Sequence, residues 1–372
     1  MNKAINRLLI GLGHIFSAPY YVKELIHLSS YCLYALLPYC LQHGIMMFMR
    51  ILDIKNLNLG FNCECGFRQA LYDVSLSLEK GKMHSLVGES GCGKTISAMS
   101  ILQLLPKTAQ ITSGEILFKN QNILTMPDKQ LQQIRGAKIA LIPQDPMTSL
   151  NPLYTIGDQL LEVIHIHQGL KGNEARQKAI EALEIVQIPC AKDRINSYPH
   201  EFSGGMKQRA IIAMALACNA EILIADEPTT ALDVTIQAQI MALLKDIKTE
   251  RQTAILLITH DLALVGENAD YVSVMYAGRV VETAPAEEFF INPNHPYTLA
   301  LLKSLPSAKR SEKLQTIQGQ PPSIQQTIHG CKFHPRCAHC MELCTKVVPP
   351  VYKVGHEHFS ACFLNKDDDC TP

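Results

Sequence analysis

The sequence predicts an α/β fold in which helices lie on the faces of a parallel sheet. Three short apolar runs end in acidic or amide residues, as buried parallel strands do at their carboxyl ends: KIALIPQD (138–145), AEILIADEP (220–228) and TAILLITHD (253–261). Two longer segments, 157–188 and 234–252, carry apolar residues at helical spacing. Strands that alternate with helices in this way favour a parallel sheet.

The chain divides into three parts around these runs. Residues 51–61 (ILDIKNLNLGF) alternate apolar and polar side chains, as a half-buried strand does, and two more strands joined by a Lys-Gly turn follow directly. Proline and glycine become frequent after about residue 290, which marks a separate tail. We therefore expect an atypical N-terminal extension at 1–48, a main domain at 49–290 and a C-terminal extension at 291–372.

The N-terminal segment matches neither of the common membrane-targeting patterns. An apolar run at 31–49 is interrupted by Pro38, Gln42 and His43, whereas a spanning helix needs about 20 predominantly apolar residues. A cleavable signal peptide fits poorly, because no small-residue cleavage site follows the run. We expect an extension outside the fold or a start site assigned too early, with a membrane-associating segment as the alternative.

Charge gives no support to a nucleic-acid partner. Lysine plus arginine number 34, and aspartate plus glutamate also number 34, in a chain of 372 residues that is 47% apolar. Such a composition is ordinary for a globular protein. A chain without net charge has no long-range field that would recruit a polyanion or an anionic bilayer. No nucleic acid is therefore expected as a partner.

The strongest motif is a phosphate-binding loop. Residues 88–95 read GESGCGKT, a complete G-x-x-x-x-G-K-[ST] between an apolar strand and an apolar helix. Glycine lets the backbone turn tightly enough to aim successive N–H groups at phosphate oxygens, and the helix start adds a favourable partial charge. Lys94 is expected on the β- and γ-phosphates and Thr95 on magnesium. The predicted nucleotide-binding residues of the loop are Gly88, Glu89, Ser90, Gly91, Cys92, Gly93, Lys94 and Thr95.

A pair of carboxylates ends the strand at 222–227 (ILIADE). Acidic pairs at strand ends are common, but with a phosphate loop upstream this pair becomes a strong signal. We expect Asp226 in the magnesium shell and Glu227 as the base that polarises the attacking water.

A second anion site is predicted at FSGGMKQR (202–209), where Ser203, Gly204 and Gly205 start an apolar helix. A helix start offers exposed N–H groups, and a serine hydroxyl adds another hydrogen-bonding group. One chain then has two phosphate-binding helix starts. The second serves the same nucleotide or one held by a partner chain.

Residues 50–290 resemble the ATP-binding subunit of an ABC transporter in motif content and motif order. Besides the segments above, the resemblance rests on IPQDPMTSLNP, ALDV and LITHDL. It implies a P-loop NTPase (RecA-like) core with an antiparallel β subdomain and an α-helical signature subdomain, so that 49–290 is the ABC ATP-binding domain. A C-terminal cysteine-containing extension follows this domain. ATP and Mg²⁺ are the implied cofactors.

The same resemblance implies roles for single residues. Gln144 senses the γ-phosphate and the magnesium ion, and His260 positions the γ-phosphate, so both join Glu227 as catalytic residues. Asp233 joins two ATPase subunits, and Phe61 rather than Phe67 stacks on adenine. The signature residues implied to contact the partner's ATP are Ser203, Gly204, Gly205 and Gln208.

Three segments narrow the resemblance to the dipeptide/oligopeptide importers, a branch that includes nickel importers: IPQDPMTSLNP, YPHEFSGGMKQR and NPNHPYTLALLKSLP. The resemblance implies an ATPase that energises uptake of di- or oligopeptides, peripheral on the cytoplasmic face of the inner membrane. Its implied partners are a related ATP-binding subunit, two permease subunits contacted by residues 145–152, and an extracytoplasmic peptide-binding protein.

Two alternative functions remain open at this point. One is uptake of nickel or another small solute by the same branch, since the permease and the binding protein select the substrate. The other is a soluble ABC ATPase of translation or DNA repair. Soluble members usually carry two cassettes in one chain or a long insertion, and this sequence has neither.

The tail contains a cysteine cluster. Of 13 cysteines, five gather within residues 331–362: Cys331, Cys337, Cys340, Cys344 and Cys362. The Cys337-x2-Cys340 pair alone suits zinc. The importer resemblance implies instead that Cys331, Cys337, Cys344 and Cys362 hold a 4Fe–4S cluster, for which four thiolates are the usual ligands. Zinc and unliganded thiols are the alternatives.

Overall fold

The computed structural model of the chain describes residues 50–64, 66–230, 232–305 and 317–366. They belong to the second of two units into which the chain divides, Arg50–Pro372. The predicted N-terminal extension at 1–48 lies outside the described residues. Within the described ranges, no helix has both the length and the apolar character needed to cross a membrane.

Twelve strands and twelve helices follow one another in the part of the chain that the structure describes. The strands are β1 (Arg50–Cys63), β2 (Gly66–Glu79), β3 (Met83–Val87), β4 (Ala109–Phe118), β5 (Gln121–Asn122), β6 (Ile139–Ile142), β7 (Ile222–Asp226), β8 (Ala254–Thr259), β9 (Tyr271–Tyr276), β10 (Arg279–Pro285), β11 (Tyr352–Gly355) and β12 (His358–Ser360). The helices are α1 (Lys94–Ile101), α2 (Asp128–Ile134), α3 (Pro146–Ser149), α4 (Ile156–Gln168), α5 (Gly172–Ile185), α6 (Ala191–Arg194), α7 (Gly204–Ala217), α8 (Val234–Arg251), α9 (Leu262–Asn268), α10 (Ala286–Ile291), α11 (Pro296–Lys303) and α12 (Glu342–Lys346).

The described strands pair into two sheets. An antiparallel sheet has the order β2-β1-β4-β5, and an eight-stranded sheet has the order β11-β12-β10-β9-β3-β8-β7-β6. Within the larger sheet, β6, β7, β8, β3 and β9 run parallel, which confirms the fold class expected from their apolar runs. The carboxyl ends of β3, β6, β7 and β8 therefore lie along one edge, where ligands bind in open α/β sheets.

The helical segment expected at 157–188 is two helices, α4 and α5. Gly169 ends α4 with a left-handed backbone (φ 70°), a conformation that glycine adopts without steric cost. The start of α4 is also defined, because Thr155 and Asp158 form a reciprocal capping box. Apolar side chains of α4, α5 and α7 pack together with the edge of the parallel sheet; Leu160, Leu183 and Ile212 are fully buried there.

The C-terminal extension is joined to the main sheet rather than separate from it. Strand β12 pairs with β10, which places Ser360 beside Glu282, and β11 pairs with β12. The buried Glu282 carboxylate accepts backbone N–H groups of Asn294 (2.7 Å) and His295 (2.9 Å), and its Oε1 lies within hydrogen-bond distance of His358 Nε2 at 2.7 Å. A buried carboxylate with these partners fixes the tail against β10.

Candidate functional site

The phosphate loop occupies the turn from β3 to α1. A Cβ atom at Gly88 would lie 2.2 Å from the carbonyl oxygen of Met275, so only glycine fits where the loop passes the neighbouring strand. The buried Lys94 ammonium donates to the carbonyl oxygens of Gly88 (2.7 Å) and Glu89 (3.1 Å), which puts its charge inside the curl of the loop. Cys92 is buried, and burial raises the pKa of its thiol, so this side chain stays neutral.

Asp226 ends β7 beside the loop. Its carboxyl is buried, and burial raises its pKa, while a hydrogen bond from Thr95 and the charge of Lys94 act in the opposite direction. Oδ1 of Asp226 has no hydrogen-bond partner among the described residues. A buried carboxylate oxygen without a partner, next to a threonine hydroxyl, suits a hard divalent cation such as Mg²⁺. The predicted magnesium ligands Asp226 and Thr95 therefore fit the ion.

The three predicted catalytic side chains meet at Glu227. Its Oε2 accepts hydrogen bonds from Gln144 Nε2 (2.9 Å) and from Thr230 Oγ1 (3.0 Å), and its Oε1 lies 3.4 Å from His260 Nδ1. Glu227 itself has a left-handed backbone (φ 46°), which is uncommon for a residue with a side chain and is held by a hydrogen bond from its N–H to the carbonyl of Ile258. Thr230 is a contact that the sequence did not indicate.

One pocket lies over the phosphate loop, and we call it the nucleotide pocket. Phe61 lines it, whereas Phe67 does not and is 43% exposed. Tyr72 is a second aromatic wall that the sequence did not indicate. The tail contributes as well, because Lys332 lines the pocket and its ammonium lies 4.3 Å from the centre of the Tyr72 ring. The lining residues are Phe61, Gln69, Ala70, Tyr72, Ser90, Gly91, Gly93, Lys94, Thr95, Ile96, Gln144, Glu227, Ala277, Gly278, Pro322, Ser323, Ile324, Gln326, Ile328 and Lys332.

The signature segment lies away from the chain's own nucleotide pocket. Ser203 caps α7 by accepting the N–H of Met206 (3.3 Å), and it is exposed together with Gly204. Gly205 is half-buried. Gln208 differs from them, because its side chain is buried and neither amide atom has a partner within the described ranges.

Asp233 is exposed and caps α8 by accepting the N–H of Ile236 at 2.9 Å. Like the start of the signature helix, it does not line the nucleotide pocket of its own chain. Both features are thus open to a partner molecule.

Two family models match this chain. A family model described as "ABC transporter" matches residues 71–230, and one described as "Oligopeptide/dipeptide transporter, C-terminal region" matches residues 281–344. The chain is 47% identical over 320 residues to the probable peptide ABC transporter ATP-binding protein y4tR of Sinorhizobium fredii, covering 85% of this chain and 96% of that protein. The chain belongs to the ATP-binding subunits of peptide ABC transporters.

This ATP-binding subunit has further relatives of the same kind. It is 44% identical to the oligopeptide transport ATP-binding protein OppD of Bacillus subtilis, over 86% of this chain and 90% of that one. Among solved structures, the ATP-binding cassette MJ0796, a dimer bound to ADP and Pi, matches with a TM-score of 0.57 and 30% identity. That match covers 63% of this chain and 98% of the cassette. As a member of this family the subunit is an ATPase with a P-loop NTPase core.

The tail of the subunit brings four cysteines to one small cavity, which we call the thiol cavity: Cys331, Cys337, Cys344 and Cys362. Burial raises the pKa of the Cys331 thiol to about 11, and the neighbouring thiols act in the same direction. Cys340, the one cysteine of the cluster that is not a predicted ligand of the 4Fe–4S cluster, is exposed and does not line the cavity. In the described part of the chain, however, no three His, Cys, Asp or Glu side chains are arranged to hold a metal ion. The predicted metal centre, iron–sulfur or zinc, therefore has no support from the geometry beyond the grouping of the thiols.

Proposed function

We propose that this subunit hydrolyses ATP to drive the uptake of di- or oligopeptides through a pair of permease subunits. The observation that carries the proposal is the meeting of Gln144, Glu227 and His260 at the edge of the sheet that holds the phosphate loop. The peptide substrate is supported by the relatives, which are named as peptide, oligopeptide and dipeptide transport proteins. The proposed location is peripheral, on the cytoplasmic face of the inner membrane.

In the proposed reaction, Lys94 binds the β- and γ-phosphates, and Thr95, Asp226 and Gln144 hold Mg²⁺. Mg²⁺ held by these residues would supply positive charge against the negative charge that develops on the phosphates. Glu227 accepts the proton of the attacking water. Its hydrogen bonds from Gln144 and Thr230 orient the carboxylate. The exposed His260, which lies beside Glu227, is proposed to position the γ-phosphate.

A second ATP-binding subunit is proposed to complete each nucleotide site, and a related but different chain is the expected partner. The arrangement is supported by the separation of the two anion sites, since the exposed Ser203 and Gly204 lie outside the chain's own nucleotide pocket. Asp233, which is also exposed, is the proposed contact between the subunits. The dimeric state of the MJ0796 cassette gives further support.

The permease subunits are proposed to contact residues 145–152. This segment includes the short helix α3, which Asp145 caps, and follows Gln144 directly. Met147 is 61% exposed, and Leu153 and Tyr154 just beyond the segment are 80% and 56% exposed. Exposed large apolar side chains beside one another suit a protein interface. A shift of Gln144 on nucleotide binding would reach the permease through this segment.

We further propose that the thiol cavity holds a 4Fe–4S cluster on Cys331, Cys337, Cys344 and Cys362. The support is the grouping of four thiols in one cavity, which is also lined by His295, His334 and His339 and by no carboxylate. The test is anaerobic purification with iron, sulfide and zinc analysis. Iron and sulfide in stoichiometric amounts are expected; a colourless, iron-free protein would reject the cluster, and zinc in its place would favour the alternative.

The function is tested with the assembled transporter in vesicles. ATPase activity is measured with the peptide-loaded binding protein inside, and Glu227→Gln serves as the hydrolysis-deficient control. Stimulation by di- or oligopeptides is expected. Stimulation by Ni²⁺ instead of peptide would favour a nickel importer, and copurification with ribosomes rather than permeases would favour a soluble ABC ATPase.

A further inference from the structure

Arg336 of the tail forms an ion pair inside the phosphate loop. The residue lies in the turn His334–Arg336, next to Cys337, yet its side chain is only 6% exposed. Its Nη1 donates to Glu89 Oε2 at 2.6 Å and its Nη2 donates to Glu89 Oε1 at 3.0 Å. Two parallel hydrogen bonds between a guanidinium and a carboxylate set orientation as well as distance. The tail thus binds Glu89, the second residue of the phosphate loop.

All five N–H groups of the Arg336 guanidinium have an acceptor. Besides the two bonds to Glu89, Nε donates to the carbonyl of Gln318 (3.0 Å), Nη1 to the hydroxyl of Tyr276 (3.4 Å) and Nη2 to the carbonyl of Gly319 (3.2 Å). Arginine has five donors in a rigid plane, so a side chain that uses all of them has one orientation. The Arg336 side chain is therefore held in one orientation, and the phosphate loop is hydrogen-bonded to it through Glu89.

The backbone of Glu89 is held from two further directions. Its N–H donates to the hydroxyl of Tyr297 in α11 (3.2 Å), and its carbonyl accepts the ammonium of Lys94 (3.1 Å). Tyr297 and Arg336 both belong to the C-terminal extension. Phe333 contacts both, because its ring lies 5.2 Å from that of Tyr297 and its carbonyl accepts the N–H of Arg336 at 3.0 Å. The extension therefore controls the residue that the phosphate-binding lysine contacts.

We propose that Arg336 is a positioning residue for ATP binding: it holds Glu89, and through Glu89 the phosphate loop, in the conformation that receives the triphosphate. The inference rests on the proposed nucleotide site. Arg336 acts in two ways, because it fixes the loop and because it neutralises a carboxylate that belongs to the loop. Without the guanidinium, the partly buried Glu89 carboxylate would be left without its charged partner.

The same side chain attaches another wall of the nucleotide pocket. Gln318 and Gly319, whose carbonyls Arg336 binds, precede the segment 322–328, five residues of which line the pocket. Cys337 follows Arg336 in sequence and lines the thiol cavity. The Arg336 guanidinium therefore connects the pocket wall with the loop, and the backbone of Arg336 continues into Cys337 of the thiol cavity.

The experiment uses the full chain and compares Arg336→Gln, Arg336→Lys, Glu89→Gln and the double variant. A matched control is Lys248→Gln. Lys248 forms a similarly buried ion pair with Asp270 at 2.9 Å, and neither residue lines the nucleotide pocket. The measurements are the Kd of a fluorescent ATP analogue, the KM and kcat of ATP hydrolysis, the melting temperature, and hydrogen exchange of the amides at 88–95.

Arg336→Gln is expected to raise Kd and KM about 10- to 100-fold, the loss that follows when a charged hydrogen-bonding partner is removed, with a smaller change in kcat. Arg336→Lys restores part of the affinity, because it keeps the charge without the paired geometry. Adding Glu89→Gln to Arg336→Gln also recovers affinity, because the orphaned carboxylate is gone. Amides 88–95 exchange faster in Arg336→Gln, whereas Lys248→Gln lowers the melting temperature and leaves Kd unchanged.

An unchanged Kd in Arg336→Gln, with a melting temperature lowered as in Lys248→Gln, would mean that Arg336 only stabilises the fold, and the inference would be wrong. If Arg336→Gln does not fold, Arg336→Lys and Glu89→Gln decide the matter by the same comparison of Kd with melting temperature. A wild-type chain that binds no ATP analogue would reject the proposed function, and the inference with it.

Discussion

The stability of the subunit is expected to fall between pH 7.5 and pH 5 because of a buried histidine, His295. Its side chain is 1% exposed, its Nδ1 accepts the N–H of Tyr297 (3.1 Å), and its Nε2 has no partner among the described residues. Burial lowers the pKa of His295 from 6.5 to about 4, although the charge of Glu282 acts against this change. The perturbation to test is His295→Asn, since asparagine also caps a helix but does not titrate.

Proton uptake determines whether acid raises or lowers the free energy of unfolding. The pKa is lower in the folded state, so the unfolded chain binds more protons between pH 6.5 and pH 4, and acid favours unfolding. At pH 5 the unfolded histidine is almost fully protonated, while the folded one is about one-tenth protonated. This difference in proton binding makes the free energy of unfolding about 2 kcal/mol lower at pH 5 than at pH 7.5. That amount is a large fraction of the 5–15 kcal/mol of a typical domain.

The assay is urea unfolding of the full chain at several pH values, followed by far-UV circular dichroism because the chain has no tryptophan. His295→Asn is expected to lower stability at pH 7.5 but to reduce the loss on acidification by about 2 kcal/mol. His165→Asn, a change at an exposed histidine, should leave the loss as in the wild type. If the wild type and His295→Asn lose the same stability on acidification, the assignment of this pH dependence to His295 is wrong.

Three further predictions concern the nucleotide pocket. Glu227→Gln is expected to lower kcat about 100- to 10,000-fold and to preserve ATP binding, as measured by phosphate release and by an ATP-analogue titration; preserved turnover would remove Glu227 as the base. Phe61→Ala should weaken the same titration about tenfold, the cost of a lost base stack, while Phe67→Ala should not, and equal effects would argue against stacking on Phe61. Gly88→Ala forces a Cβ to within 2.2 Å of the Met275 carbonyl oxygen, so the free energy of unfolding should fall by about 3 kcal/mol in urea titrations; wild-type stability would show that the loop tolerates a side chain.

The catalytic cluster was predictable because each of its residues follows an apolar run in the sequence. Gln144, Asp226 and His260 each follow an apolar run, and the ends of parallel strands meet at one edge of a sheet. The structure brings Gln144, Glu227 and His260 to that edge. Such a residue can be recognised from the sequence of one strand and the residue that follows it. Thr230 carried no such signal, because a threonine after a strand is ordinary until its hydroxyl is found on Oε2 of Glu227.

The contribution of the tail could not be predicted, for a different physical reason. Glu89 and Arg336 are 247 positions apart, and neither belongs to a periodic pattern, so only the folded chain brings them together. The buried pair Glu282–His358 and the pairing of β12 with β10 are likewise long-range. Proline and glycine in the tail predicted a separate segment, whereas the tail's strand β12 pairs with β10 of the main sheet. Two polar contacts of the tail lie in different places. Arg336 binds Glu89 of the phosphate loop, and His358 contacts Glu282 of β10. These contacts therefore stabilise the fold and position the phosphate loop together, and only paired measurements of affinity and stability separate the two effects.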